Sequence, residues 1–227
     1  MRSLKVCGLL FFLLGCEGAV DGGGAADGAT VPDLEVPDLM ARGADAAPAE
    51  DPCTNVVVTI GDFEIFAYEA SRVDATSEQA GVDDGRACSR ASVLPFGGVE
   101  LAKASAACTA SGFTLCTDAQ WFEACSGAMG RRWPYGNNHE PARCNDHVSG
   151  SAAVEPTGSR SDCVTPEGVF DLSGNLWERT LEGQKRGASF RVNAATFHVE
   201  STMCDARFVA PEALNSDDLG FRCCKGR

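Results

Sequence analysis

The sequence predicts an α+β domain that is irregular, rich in loops and stapled by disulfides. Three observations predict it. Two helical stretches, residues 99–111 and 117–125, stand among short strand-like runs near the two ends of the domain. A long region, residues 133–167, is mostly turn residues with no sustained hydrophobic period. Twelve cysteines occur in 227 residues, and ten of them fall between Cys53 and Cys224. An even set of that size in an exported chain reads as a disulfide framework. Such a framework lets a region without regular elements hold one shape.

Export is read from the N-terminus. Met1-Arg2-Ser3-Leu4-Lys5 precedes an apolar run over residues 6–14. Two positive charges ahead of about nine apolar residues make a secretory signal, because a membrane-spanning helix needs roughly 20. The run ends Leu13-Leu14-Gly15-Cys16, which resembles a bacterial lipobox. Cys16 is then the lipidated residue and the mature chain is tethered to a membrane by acyl chains; ordinary cleavage beside an incidental cysteine is the alternative. Residues 17–52 shift to Gly, Ala, Asp and Pro and hold the near-repeat Val31-Pro-Asp-Leu34 and Val36-Pro-Asp-Leu39. That composition buries too little apolar surface to offset its ordering entropy, so it reads as a flexible linker. Residues 53–227 remain as the domain, long enough for one core. The formal charge of −13 becomes −15 once Arg2 and Lys5 leave with the signal. Nucleic acid, itself polyanionic, is an excluded partner on that ground. Glu17 follows Cys16 where an inner-membrane retention signal has Asp, so the outer membrane is favoured.

Within the domain, residues 56–60 and 63–68 read as strands joined at Gly61-Asp62, and the alternation in Phe63-Glu-Ile-Phe-Ala-Tyr68 places the second on a half-buried sheet. Residues 76–90 are polar and loop-like. The Ala-rich stretch 99–111 is helical, with Gly112 placed to cap its C-terminus. Thr117-Asp-Ala-Gln120 is a capping box that opens the second helix. Leu219-Gly-Phe-Arg-Cys-Cys224 reads as a final strand. Neighbouring strand residues face opposite ways, so Cys223 and Cys224 take different partners. No C-x-x-C pair and no Cys/His spacing of the zinc-finger kind is present, which favours structural disulfides over thiol or metal chemistry.

The stretch with the most chemical content is Gly168-Val-Phe-Asp-Leu-Ser-Gly-Asn-Leu-Trp-Glu178. It is an extended run that breaks into a tight turn at Ser173-Gly174-Asn175. Asp171 and Glu178 flank the carbonyls of that turn, a donor set of the type that a hard cation such as Ca²⁺ takes. The alternative is that both carboxylates satisfy backbone N–H groups of the turn. The three histidines, His139, His147 and His198, are scattered and read as surface or turn residues.

Five stretches, in order, resemble the formylglycine-generating (sulfatase-modifying factor) family, whose fold is a variant of the C-type lectin fold. They are Leu115-Cys-Thr-Asp-Ala-Gln-Trp-Phe-Glu-Ala124, Trp133-Pro-Tyr-Gly-Asn137, the Gly168–Glu178 stretch, Arg186-Gly-Ala-Ser-Phe190 and Gly220-Phe-Arg-Cys223. The resemblance implies a calcium site at the side chains of Asp171 and Glu178 and the carbonyls of Gly174 and Leu176. It implies bonds Cys108–Cys223 and Cys125–Cys204; elimination then pairs Cys116–Cys224, Cys144–Cys163 and Cys53–Cys88. A second family calcium site needs a longer loop after the position of Asn145, and the Cys144–Cys163 disulfide is expected in its place. Trp121 and Trp177 are expected in the core, and Arg186 and Arg222 as buried hydrogen-bonding struts.

The family's oxidases bind Cu(I) through two cysteines shortly after the R-G-G-S motif, and thiolates are what Cu(I) prefers. Aligned from Ser189, those positions hold Val192 and Phe197, while Cys204 matches a structural cysteine. Copper and formylglycine formation are therefore not expected, and no catalytic residue is assigned. A non-haem iron branch of the fold needs a His-rich pattern that the chain lacks, and Ser189 with His198 has no nucleophile-elbow context. The expectation is a lipid-anchored binding module for a protein, peptide or glycan. The competing readings are a protein-modifying oxidoreductase with displaced catalytic residues and a structural protein of the cell envelope.

Overall fold

The computed structural model describes residues 51–146, 151–192 and 199–226. Cys16, the lipobox, most of the linker, Phe197, His147 and His198 lie outside the described residues. No helix among the described residues is long and apolar enough to cross a membrane.

The chain enters through a hairpin of β1 (Val57–Ile60) and β2 (Phe63–Phe66), paired antiparallel with Ile60 opposite Phe63. The loop is the expected Gly61-Asp62, and Gly61 sits at φ +49°, a region a side chain disfavours. The second strand is two residues shorter than expected. Both of its faces are buried: Phe63 and Ile65 pack into one apolar cluster and Phe66 into another. The polar stretch after it is not wholly loop. Ala70–Ser71 (β3) pairs with Cys88–Ser89 (β4), and the disulfide Cys53–Cys88 ties the pair to the start of the domain. Two-residue strands carry no hydrophobic period, so the sequence does not announce them.

Helix α1 (Leu101–Ala110) begins two residues later than expected and ends in a Schellman motif. Gly112, at φ +78°, donates its N–H to Thr109 O, and Phe113 donates to Cys108 O. After β5 (Thr114–Leu115), helix α2 (Asp118–Ser126) opens with the expected capping box. Gln120 N–H donates to Thr117 Oγ1 and Thr117 N–H donates to Gln120 Oε1. The hairpin of β6 (Trp177–Arg179) and β7 (Gln184–Arg186) is joined by β8 (Phe208–Val209) outside β7 and by β9 (Leu219–Phe221) parallel to β6.

The expected final strand is two strands. It breaks at Arg222, and β10 (Cys223–Gly226) joins the other sheet between β2 and β5. Opposite faces of β10 still give the two cysteines different partners. Cys223 bonds to Cys108 of α1, and Cys224 bonds to Cys116 just before α2. Cys125–Cys204 and Cys144–Cys163 complete five pairs, and these are the pairs expected. Every cysteine among the described residues is thus bonded. The first sheet, β1-β2-β10-β5, separates a cluster around α1 from one around α2, and Trp121 of α2 is fully buried.

Candidate functional site

The break at Arg222 places a guanidinium where the two sheets meet, with no exposure to solvent. β6 carries Glu178 to the same point, because Glu178 lies opposite Gly220 in the parallel ladder. Arg222 Nη2 donates to Glu178 Oε1 at 2.7 Å and Nε donates to Oε2 at 3.0 Å. Nη1 donates to Phe66 O and Nη2 to Phe170 O, each at 2.8 Å. Trp121 Nε1 adds a third donor to the carboxylate, 2.7 Å from Glu178 Oε2. Two more buried acids surround this pair. Glu69 accepts from Leu176 N at 3.0 Å and from Asn175 Nδ2 at 2.5 Å, and Asp171 Oδ2 accepts from Gly158 N at 2.7 Å.

Burial pushes the Asp171 carboxyl up to about 7, against the Gly158 amide and Arg222, which favour its charge. Glu69 is pushed well above the usual carboxylate range, first by burial and then by the charges of Asp171 and Glu178. Burial works against the charge on Arg222 too, but the acids around it, Glu178 foremost, hold its pKa raised. Three buried carboxylates face one guanidinium.

The turn that the sequence places at Ser173-Gly174-Asn175 is held by close backbone contact. Asn175, at φ +57°, donates N–H to Asn145 O at 2.9 Å, and its side chain reaches Glu69 and Glu155 O. Gly174, at φ +83°, lies so close to the Asn145 carbonyl that a Cβ would collide with it. Asp171 also has a positive φ, +60°, a conformation that Asp and Asn tolerate best among residues with side chains.

The calcium set implied by the resemblance fits this arrangement only in part. The crowding of Glu69, Asp171 and Glu178, which disfavours their charged forms, is what a cation would relieve. Glu178 already accepts from Arg222 and Trp121 on its two oxygens, so a cation there would share the carboxylate with them. Calcium needs six to eight oxygens. Among the described residues, no group of three or more His, Cys, Asp or Glu side chains could hold a metal ion. Asn145, beside the Cys144–Cys163 disulfide, donates instead to Ala153 O and Asn175 Oδ1.

Two concavities flank the β6–β7–β8 sheet, one on each face. On one face, Arg186 Nε and Nη2 donate to Asp118 at 2.6 Å each, and Nη1 donates to Cys204 O. This is the strut expected of Arg186, and its guanidinium holds the Asp118 carboxyl below the usual range. The space beside it, about 620 Å³, is lined by Phe122, Glu182, Gln184 and Arg207. Its charges pair within the protein: Glu182 accepts the Asp118 N–H at 2.7 Å, and Arg207 lies 3.5 Å from Asp118.

On the other face Trp177, Lys185, Arg191, Val192, Leu214 and Asp218 line a groove of about 300 Å³. Val192 is 4% exposed and packs in one apolar cluster with Trp177, Ala188 and Leu219. Ser189 Oγ donates to Asp218 Oδ2 at 2.8 Å, and Ser216 donates to the other oxygen. Lys185 Nζ sits over the Trp177 ring, 4.5 Å from its centroid. Trp177 is therefore both a core residue and one wall of the groove. His139 is remote in role from this groove: it pairs with buried Asp146 at 3.1 Å and leans on Trp133.

Sequence reasoning missed Glu69 and Lys185. An ionisable residue directly after the apolar run Ile65-Phe-Ala-Tyr68 was a signal for Glu69. Lys185 gives none, because an isolated Lys in a short polar strand reads as surface.

Similarity to known proteins agrees with this geometry. A mouse (Mus musculus) protein described as inactive C-alpha-formylglycine-generating enzyme 2 is 31% identical over 150 residues, covering 57% of this chain and 48% of its own length. The Bos taurus protein of the same description is 30% identical over 146 residues, covering 54% and 47%. The chain thus spans about half the length of these curated relatives. Among solved structures, Treponema denticola variable protein 1 superposes with a TM-score of 0.55 at 13% identity, covering 75% of this chain and 86% of its own. PvdO from Pseudomonas aeruginosa gives 0.52 at 14%, covering 76% and 91%. These likenesses show the fold. The model of the sulfatase-modifying factor enzyme 1-like domain matches residues 51–227, and the chain belongs to that family.

Proposed function

We propose that this domain is a non-catalytic binding module carried on an exported, lipid-anchored chain, with the Trp177–Lys185–Val192 groove as its binding face. One observation carries the reading. At the first position where the resemblance expects a copper-binding cysteine, Val192 closes an apolar cluster on the groove. A valine can neither ligate copper nor form a mixed disulfide. The ten cysteines of the domain support the same conclusion, since all are spent in disulfides. The mouse and bovine relatives are themselves described as inactive. The ligand class is a protein, peptide or glycan.

The direct test incubates the mature domain, with and without added copper, with a cysteine peptide of the sulfatase type under oxygen. The expected outcome is no aldehyde trapped by a hydrazide probe; aldehyde in proportion to the enzyme would sink the proposal. Palmitate labelling of the full chain, lost in Cys16→Ser, tests the anchor. Calcium belongs to the proposal in a narrower form, held by Asp171 and the carbonyls of Gly174 and Leu176 with Glu178 left to Arg222. The crowding of three buried carboxyl groups around one guanidinium supports it. A melting temperature indifferent both to chelator and to Asp171→Asn would remove it.

A further inference from the structure

The cations of the groove differ in how they are satisfied. Arg191 makes a bidentate pair with Asp217 at 2.5 and 2.6 Å, with 52% and 69% of the two side chains exposed. A pair so exposed is worth little and opens readily. Asp218, whose charge acts on Lys185, is already engaged by the hydroxyls of Ser189 and Ser216. Lys185 is half-buried, and its ammonium group sits over the Trp177 ring. Among the described residues, that ammonium has no hydrogen-bond acceptor and no carboxylate within ion-pair distance. Three ammonium donors taken partly out of water without an acceptor cost free energy, and burial lowers the pKa of this lysine accordingly. An incoming anion would recover that cost. Below the lysine, Val192, Leu214 and Leu219 form an apolar floor.

We propose that the groove captures a ligand ending in a carboxylate on an apolar body, the chemistry of a peptide's C-terminal residue. Lys185 takes the carboxylate, and the floor takes the apolar group. About 300 Å³ matches one residue rather than a folded surface. The proposal rests on the reading of this groove as the binding face and adds the chemistry that it selects.

The experiment titrates the isotope-labelled mature domain with N-acetyl-leucine and, separately, with the neutral N-acetyl-leucinamide, following backbone amide shifts. The acid is expected to shift the amides of Lys185, Val192 and Leu214. The amide should need a concentration at least about tenfold higher, the worth of one charge-assisted hydrogen bond. Lys185→Met should erase the preference for the acid while leaving the rest of the spectrum in place. Lys185→Arg should keep it, and added salt should weaken it. Equal binding of acid and amide, or a preference that survives Lys185→Met, overturns the carboxylate assignment yet leaves the groove as a binding face. Shifts from neither probe also overturn it. The groove reading then stands or falls on a peptide and glycan screen against wild type and Leu214→Trp, which fills the cavity.

Discussion

Replacing Arg222 by Met should cost more than any other single change in the buried cluster. Its guanidinium makes four hydrogen bonds of 2.7–3.0 Å, two to Glu178 and two to the carbonyls of Phe66 and Phe170. Charge-assisted bonds are worth roughly 1.5–3 kcal/mol each, so simple addition gives about 6–12 kcal/mol. Recovering the hydration of a fully buried guanidinium offsets much of that sum. Removing one partner of a buried pair leaves about 3–5 kcal/mol of destabilisation, because the buried Glu178 carboxyl then keeps only Trp121 as a donor. For a domain of this size the melting temperature falls by roughly 2–4 °C per kcal/mol, so a drop of about 6–20 °C is expected. The assay is guanidinium chloride unfolding with the disulfides intact, comparing wild type, Arg222→Met, Glu178→Gln and the double variant. Glu178→Gln should restore at least about 1 kcal/mol to Arg222→Met, since a neutral amide keeps an acceptor for Trp121 and removes the stranded carboxyl. A cost below about 1 kcal/mol for Arg222→Met, or no rescue by Glu178→Gln, would refute the view that charge compensation holds this junction together.

Gly174→Ala places a Cβ against the Asn145 carbonyl at φ +83°, and should lower stability by at least about 2–3 kcal/mol in the same unfolding assay. Gly112→Ala, where a Cβ meets open space and only the φ of +78° is unfavourable, should cost about 1 kcal/mol and serves as the control. Asp118→Asn tests the Arg186 pair through pH. The folded-state pKa of Asp118 lies below its unfolded value, so its contribution is complete above the unfolded pKa and is lost as pH falls through the folded one. The stability gap between wild type and variant should therefore be constant from about pH 5 to 7 and close below about pH 4. A gap independent of pH would assign the effect to packing.

The legible parts of the fold were those fixed within a few residues. The Gly61-Asp62 hairpin, the Thr117–Gln120 capping box and the Gly112 helix end each depend on local backbone chemistry. Strands of two residues left no trace, because β3 and β4 exist only through their pairing with each other. The break at Arg222 was hidden for a different reason. Leu219 to Cys224 alternates as one strand should, and only the positions of two separate sheets force the chain to change ladders at that residue. The position of the groove was legible through a substitution, Val192 for the cysteine that the resemblance expects. Its cation was not, since what marks Lys185 is the lack of an acceptor, a property of the folded surroundings.

The motif that resembles the family and the chemistry that defines its oxidases occupy different physical places. Asp171, Gly174, Asn175 and Glu178 of the Gly168–Glu178 stretch turn inward, to Gly158, Asn145, Glu69 and Arg222. Arg222 of the closing G-F-R-C answers them from the other sheet. Each side chain of this hub satisfies a backbone group or a charge of another, and removing one strands its partner in a dry interior. That interlock demands particular residues whether or not the groove performs a reaction. Val192 is under no such demand: it touches Trp177, Ala188 and Leu219 through apolar contact alone, which a valine supplies as well as a thiol. A chain can lose the copper ligand without disturbing the hub, but it cannot lose Glu178 or Arg222 and keep the junction. The motif is therefore a marker of the scaffold, and activity has to be read at position 192 and in what faces it.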